Sequence, residues 1–110
     1  MAKSASFARF KSRVVAVVAA IPEGRVTTYG TIGRYLDATP RQVAFVMATL
    51  TDEESAELPW FRVVAANGVV STTKLGAVGR RQIARLRAEG VSVTARNKVE
   101  EFDTIVWSPG

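Results

Sequence analysis

The side chains that most often carry enzyme chemistry are scarce in this chain. It contains no cysteine and no histidine. These two absences exclude disulfides, cysteine nucleophiles, Ser-His-Asp triads, histidine acid–base catalysis and the usual zinc and haem ligand sets. The composition therefore favours a binding protein over an enzyme.

Other patterns with chemical potential are weak. Residues 71–74 fit the S-x-x-K pattern in which a lysine activates a serine, but nothing else of such a site is present, and the plain end of a hairpin is the favoured interpretation. Residues 76–81 place glycines before two arginines, which can cradle a phosphate or simply lead into a capped helix. The 10 carboxylates have no metal-ligand spacing. We predict no metal and no cofactor.

Larger side chains at turns and helix starts are more informative. Tyr29 begins one predicted helix, where its ring can pack inward or its hydroxyl can point outward. Arg41 begins the next one and can cover the core or reach into a nucleic-acid groove. Residues 58–62 place two bulky aromatics and an arginine after a proline turn, which is more than a surface loop needs. Taken singly, these residues leave packing and binding as open alternatives.

The charge of the chain is strongly segregated. Its 110 residues carry a net charge of +5, with +5 in residues 1–51, −4 in 52–57, +7 in 58–99 and −3 in 100–110. A patchy positive field is typical of a nucleic-acid or membrane-surface partner. The longest apolar run, residues 14–21, is shorter than the roughly 20 residues of a membrane span, and its helical spacing argues against a signal peptide. We expect a single cytoplasmic, non-membrane domain over residues 1–110, associated with the nucleoid if bacterial.

Apolar periodicity predicts the helices that position these residues in the first half of the chain. Apolar side chains recur at helical spacing from Phe7 to Ile21, and Pro22 ends that helix. A threonine at 27 or 28 caps a second helix that runs to about Leu36. Thr39 followed by proline begins a third helix. Two short helices joined by a tight turn predict a helix-turn-helix.

The second half of the chain predicts less regular structure. Residues 52–57 lack apolar periodicity and predict a solvated loop. Two β-branched runs, 61–66 and 69–72, flank an Asn-Gly pair and predict a hairpin. Residues 78–89 predict a basic amphipathic helix that a glycine at position 90 stops. Residues 91–110 predict a tail or short strand, so the expected fold is mainly α with a small β-hairpin.

The order of these pieces resembles a known family. Several segments are similar in order and spacing to the DNA-binding domain of O6-alkylguanine-DNA alkyltransferases, and more specifically to alkyltransferase-like proteins. These segments are IPEGRVTTYGTIGRYL, PRQVAFVM, LPWFRVVAANGVVS and LRAEGV, together with Gln82. The match runs from about Phe7 to Val93. The resemblance implies a winged-helix-like helix-turn-helix domain of the alkyltransferase C-terminal type.

The resemblance also implies that the transfer chemistry is lost. In the alkyltransferases a Pro-Cys-His-Arg motif supplies the cysteine that accepts the alkyl group. Trp60 stands at the cysteine position and Phe61 at the histidine position. Tryptophan cannot act as that nucleophile, so no alkyl transfer is expected. Glu89, which matches the glutamate behind the histidine, and Arg62 are expected to have structural roles.

The family's DNA contacts can be carried over to individual positions. Tyr29 matches the tyrosine that crowds the phosphate 3′ to the target nucleotide and faces the flipped base. Arg41 matches the arginine finger that replaces the extruded base in the stack. Because extruding a base costs free energy, a guanidinium that restores stacking and hydrogen bonds suits this role. The resemblance implies further minor-groove contacts from Thr39, Pro40, Gln42 and Ala44, while Phe45 is either a wedge or buried.

The implied lesion pocket is mostly apolar and suits an O6-alkyl chain. Alkylation at O6 removes the N1 proton of guanine, so a backbone amide or a hydroxyl can discriminate the lesion by donating there. Some relatives place an arginine after the hairpin, where this chain has Thr73 beside Lys74. The expected pocket residues are Trp60, Tyr29, Met47, Val63, Val64 and, as a substitute for that arginine, Lys74.

The resulting hypothesis is a non-enzymatic DNA damage sensor that acts as a monomer. It binds O6-alkylguanine in double-stranded DNA through the minor groove, flips the base into a pocket, and signals to nucleotide excision repair proteins. The alternative is a helix-turn-helix regulator that binds undamaged DNA sequence-specifically through the major groove. Residual alkyl transfer by another nucleophile is a third hypothesis.

Overall fold

The computed structural model describes residues 2–70 and 76–110, which form short helices around a two-stranded sheet. The predicted fold class, mainly α with little β structure, is confirmed. Single 3-10 turns lie at Trp60–Arg62 and Ala66–Gly68. The elements are α1 (Ala2–Ala19), β1 (Thr27–Thr28), α2 (Tyr29–Leu36), α3 (Pro40–Ala48), α4 (Asp52–Glu57), β2 (Val63–Val64), α5 (Ala77–Ala88) and α6 (Phe102–Ile105).

Helices α2 and α3 form the predicted helix-turn-helix. Thr28 caps α2, and Thr39 caps α3 in a reciprocal arrangement in which its hydroxyl accepts from the Gln42 N–H and its own N–H donates to the Gln42 side chain. The turn between the helices requires Gly33, because a Cβ there would lie 2.6 Å from the carbonyl oxygen of Ala38. The two caps and Gly33 therefore determine how α3 is oriented relative to α2.

Two apolar clusters hold the fold together. The first lies between α1 and the helix-turn-helix, and the second lies between α5, the turn after Trp60 and the C-terminal segment. The buried members of the first cluster are Val14, Val17, Val18, Ile21, Ile32, Leu36, Val43, Val46 and Val63. Those of the second are Val26, Phe61, Val64, Val70, Leu86, Val91, Val93 and Val99.

The strand pairing differs from the predicted hairpin. β2 pairs in parallel with β1. The chain does reverse at Asn67, whose φ is 63°, and the Ala65 N–H donates to the Val69 carbonyl. Val69 and Val70 then pair with residues 97–98 instead of continuing a hairpin ladder, and the end of the predicted second strand lies outside the described residues. The turn signal predicted the reversal, whereas the choice of partner strand depends on distant segments.

The acidic segment 52–57 forms α4 instead of the predicted loop. Thr51 and Glu54 make a reciprocal cap at its start, and acidic side chains in the first turn interact favourably with the positive end of the helix dipole. Because the segment has no apolar periodicity, it has no face to pack against the core, and none of its residues is buried. Capping and charge thus form this helix without an apolar face.

The C-terminal segment is integrated into the fold. Val106 bridges Val26 in parallel, and the Arg25 side chain donates to the carbonyls of Ile105 and Val106 at 2.8 and 3.0 Å. Because Val26 directly precedes β1, this segment extends the small sheet by one bridge. Across residues 2–70 and 76–110, no helix has the length and apolar character needed to cross a membrane.

Candidate nucleic-acid interface and pocket

A cavity of about 880 Å³ opens between the helix-turn-helix, α4 and α5. It brings together four of the six predicted pocket residues. Val64 is not among the lining residues, because neighbouring residues of a strand face opposite ways and Val64 is buried in the second core cluster. Lys74 lies outside the described residues. The four that line the cavity are Tyr29, Met47, Trp60 and Val63.

Tyr29 both packs and lines the cavity, so the two alternatives left open by the sequence are combined in one residue. Its ring contacts the first core cluster, and its side chain also forms part of the cavity wall. Burial raises the pKa of the Tyr29 hydroxyl above its ordinary value of 10.0. The hydroxyl therefore stays protonated at neutral pH and can donate a hydrogen bond into the cavity.

The two aromatics of the Trp60–Phe61 pair have different environments. Trp60 is half-buried and lines the cavity. Phe61 is 2% exposed and belongs to the second core cluster, with its ring edge-to-face on Trp60 at a centroid distance of 6.0 Å. Phe61 thereby stabilises the position of Trp60, and only Trp60 is placed to touch a ligand.

An ion pair between Arg62 and Glu89 anchors the segment that carries Trp60. The Arg62 Nε donates to Glu89 Oε1 at 2.9 Å, Nη2 bonds Oε2, and Nη1 donates to the Ile21 carbonyl at 2.8 Å. Partial burial by itself raises the pKa of the Glu89 carboxyl. Hydrogen bonds from Arg62 and the Gly24 N–H, and the charges of Arg62 and Arg85, outweigh that effect and hold the pKa below its usual range. The predicted structural roles of both residues are confirmed.

Gln82 is a supporting residue whose role the sequence analysis did not predict. It is 2% exposed, and its amide donates to the carbonyls of Phe61 and Val63 at 3.1 and 2.9 Å. It therefore ties α5 to the cavity wall on both sides of Arg62. Its spacing from Leu86 on the apolar face of α5 was the available signal, because a polar residue on such a face needs a partner.

The outer side of α3 presents an exposed strip beside the cavity. At 100° per residue, Ala44, Ala48, Arg41 and Phe45 follow one another around the helix. The two alanines line the cavity, whereas Arg41 is exposed next to them. Arg41, the predicted finger, is thus exposed one helical turn before Ala44, which lines the cavity.

Phe45 is exposed, which excludes the alternative that it is buried. Its side chain is 62% exposed, and its ring meets Phe7 of α1 edge-to-face at 5.8 Å between centroids. Of the other predicted contacts, Thr39 and Pro40 are exposed at the start of α3. Gln42 is also exposed, but its side-chain oxygen is used in the helix cap.

Polar and charged residues of α4 and α5 also line the cavity and were not predicted there. Asp52 and Ser55 line it from α4, and Arg81 and Arg85 line it from α5. The acidic segment, predicted as a solvated loop, therefore borders the site. Within residues 2–70 and 76–110, no group of three His, Cys, Asp or Glu side chains is placed to hold a metal ion.

A helix-turn-helix whose second helix carries an exposed arginine near a cavity is typical of a DNA-binding domain. Residues 9–91 match the family model described as 6-O-methylguanine DNA methyltransferase, DNA binding domain. The chain belongs to this family, and its relatives place it in the alkyltransferase-like group.

Two curated relatives carry that identification. A DNA base-flipping protein of Escherichia coli (strain K12) is 44% identical over 94 residues, which cover 83% of this chain and 69% of the relative. Alkyltransferase-like protein 1 of Schizosaccharomyces pombe is 38% identical over 105 residues, covering 91% and 95%. The similarity to the yeast protein thus extends over nearly the whole of both chains.

Solved structures of related proteins have a similar fold. S. pombe Atl1 in complex with damaged DNA containing O6-carboxymethylguanine has a TM-score of 0.78 and 34% identity, covering 92% of this chain and 96% of that one. An O6-methylguanine methyltransferase of Mycobacterium tuberculosis has a TM-score of 0.59 and 27% identity, covering 78% of this chain. The match spans 51% of the methyltransferase, so this chain resembles about half of that enzyme.

Proposed function

We propose that this chain is a non-catalytic sensor that binds O6-alkylguanine in double-stranded DNA, flips the base into the cavity and signals to nucleotide excision repair proteins. The observation that carries the proposal is the position of Trp60. It lines the cavity beside Tyr29, at the position where the family's enzymes hold the acceptor cysteine. The cavity therefore presents an indole ring to the lesion where the enzymes present a nucleophilic thiol.

The exposed strip of α3 is the part of the protein that enters the DNA. Arg41 enters the minor groove and takes the place of the extruded base, while Tyr29 crowds the adjacent phosphate. Base extrusion costs a few kcal/mol, and the guanidinium offsets this cost by stacking and by hydrogen bonding to the orphaned cytosine. Thr39, Pro40 and Ala44 contact the groove floor, and Phe45, exposed one turn after Arg41, acts as a wedge.

The cavity distinguishes the lesion from guanine by shape and by hydrogen bonding. Trp60, Met47 and Val63 provide an apolar surface for the alkyl group. O6-alkylguanine has lost its N1 proton and accepts a hydrogen bond there, whereas guanine donates. The protonated Tyr29 hydroxyl can donate a hydrogen bond to this atom of the lesion.

The absence of transfer gives the complex its signalling role. The chain has no thiol and no imidazole, so the alkyl group stays on the base and the bound complex persists. Such a protein acts through the repair proteins that it recruits to DNA in the cytoplasm or nucleoid. The name "DNA base-flipping protein" of one relative and the damaged-DNA complex of another support this proposal.

The proposal is tested by binding to matched duplexes that contain guanine or O6-methylguanine at one position. We expect the lesion duplex to bind at least tenfold more tightly at constant salt, which corresponds to about 1.4 kcal/mol. Equal affinity for the two duplexes would contradict the proposal and would support the alternative of a regulator that reads undamaged sequence.

The absence of catalysis is tested separately by intact protein mass after incubation with excess O6-methylguanine duplex. We expect an unchanged mass and full recovery of the lesion in the DNA. A mass increase of one methyl group would support residual alkyl transfer and would overturn the non-catalytic assignment.

A further inference from the structure

We propose that the α5 wall of the cavity selects O6 adducts that carry a negative charge, and that the guanidinium of Arg81 is the selecting group. This inference rests on the proposed function, because it requires the modified base to enter the cavity. It specifies the class of O6 adduct that the cavity prefers, namely adducts with a negative charge.

Among the cavity-lining arginines of the described residues, Arg81 is the one whose guanidinium is paired with neither a carboxylate nor an aromatic ring. In the part of the chain that the structure describes, the ion pairs are Lys11–Glu54 and Arg62–Glu89, so Arg81 has no carboxylate within 4.0 Å. Arg85, the other cavity-lining arginine, is already engaged. Its guanidinium lies 4.3 Å from the centre of the Phe61 ring, and its charge acts on the Glu89 carboxyl.

The cavity has room for an adduct that extends from the base to α5. Its volume of about 880 Å³ lies near the upper end of the roughly 300–1,000 Å³ that pockets for drug-sized ligands occupy. Tyr29 lines this cavity from α2 and Trp60 from the 3-10 turn, whereas Arg81 lines it from α5. A base beside the aromatic residues can therefore direct a substituent of several atoms towards α5.

The charges around the cavity give the adduct a preferred direction. Asp52 on the α4 wall repels an anionic group, whereas Arg81 and Arg85 on the α5 wall attract it. A planar guanidinium binds a carboxylate through two parallel hydrogen bonds. An adduct that ends in a carboxylate gains these contacts, and a neutral adduct of the same shape does not.

Two adducts of nearly equal shape test the proposal. O6-carboxymethylguanine ends in a carboxylate, and O6-carbamoylmethylguanine ends in a neutral amide. We expect the wild-type protein to bind the carboxymethyl duplex about tenfold more tightly than the carbamoylmethyl duplex. Both affinities are measured at one salt concentration, so that the general electrostatic attraction to DNA cancels in the ratio.

Three variants assign the preference to the cavity. Arg81→Gln should bring the ratio of the two affinities close to one. Arg80→Gln removes the same charge from the adjacent exposed position, which does not line the cavity, and should retain the ratio. Asp52→Asn removes the repulsion from α4 and should increase it. Loss of the ratio in both arginine variants would overturn the role of Arg81, because it would indicate a general charge effect.

The charge preference and the sensor function can be contradicted separately. If wild-type protein prefers O6-methylguanine to guanine but binds the two larger adducts equally, the charge preference is wrong and the sensor function stands. If O6-methylguanine and guanine bind equally, the sensor function itself is wrong.

Discussion

At the scale of single residues, position relative to the cavity separates function from packing. Trp60 and Phe61 are neighbours in the chain, yet one lines the cavity and the other is 2% exposed in the core. Tyr29 lines the cavity from α2, whereas Arg41 is exposed on α3 one turn before Ala44, which lines the same cavity. Because Arg41 is exposed, a substitution there can separate binding from stability.

Arg41→Ala should weaken binding to the O6-methylguanine duplex by about tenfold or more, because the vacated position in the base stack is no longer filled. The free energy of unfolding should change by about 0.5 kcal/mol or less, since the side chain is exposed. Fluorescence anisotropy and thermal unfolding measure the two effects.

Arg96→Ala is the matched control for the loss of charge, because Arg96 is exposed in a turn of the C-terminal segment and does not line the cavity. It should leave the preference for the lesion unchanged. A large drop in thermal stability of Arg41→Ala, or equal weakening by the two variants, would contradict the finger assignment.

Tyr29→Phe and Tyr29→Ala separate the ring from the hydroxyl. If the bulk of the ring crowds the phosphate, Tyr29→Phe should reduce lesion affinity less than Tyr29→Ala, because only the alanine variant loses the ring. The ratio of lesion to guanine affinity should still fall in Tyr29→Phe, since the donor to N1 is gone. Equal losses of lesion affinity would assign the whole effect to the hydroxyl.

At the scale of elements, contacts between distant segments hold the cavity wall. Gln82 and Glu89 of the α5 region reach the segment around Trp60 from two sides. The Arg62–Glu89 pair is largely buried, with side-chain exposures of 14% and 12%. Removing one partner of such a pair leaves a charge without compensation, which costs more than an exposed pair contributes.

Glu89→Gln should therefore lower the free energy of unfolding at neutral pH by about 3 kcal/mol. The folded-state pKa of Glu89 is lowered, so its stabilising contribution is complete above the ordinary pKa of 4.5 and is lost as pH falls through the folded-state value. The stability difference between wild type and variant should shrink below about pH 4.5. Urea unfolding at several pH values measures it.

Glu100→Gln, at an exposed position, controls for the change in net charge and should alter stability by about 0.5 kcal/mol or less. A difference between wild type and Glu89→Gln that stays constant down to pH 2 would show that the ion pair is not its source.

Local signals and long-range contacts differ in how far they could be predicted. Thr28, Thr39 and the glycine after α5 predicted helix boundaries correctly, because a cap acts on its own helix. The partner of β2 and the place of α4 could not be predicted, since both depend on residues far along the chain. For the site, the family motif indicated Tyr29 and Trp60, whereas the positions of Gln82 and Arg81 at the cavity depend on how α5 packs and could not be predicted.

At the scale of the whole molecule, the acidic and basic segments of the sequence meet at the cavity. The walls combine arginines from α5 with an aspartate from α4, although the net charge of the chain is +5. Lys11 holds α4 against α1 through Glu54 at 3.1 Å. Asp52 of this acidic helix borders the cavity.

Binding to undamaged and damaged duplexes should therefore share one electrostatic component. The slope of log affinity against log salt should be negative and nearly equal for guanine and O6-methylguanine duplexes, because the two duplexes present the same phosphates. The lesion preference should persist as salt rises. Loss of the preference between about 50 and 200 mM salt would indicate that phosphate contacts, and not the cavity, create it.

The most direct test of the central claim is a crystal structure of this chain with a duplex that contains one O6-methylguanine. We predict that the modified base lies outside the helix in the cavity beside Tyr29 and Trp60, with its methyl group intact and Arg41 in the vacated position. A modified base that remains stacked in the duplex, with α3 in the major groove, would contradict the account.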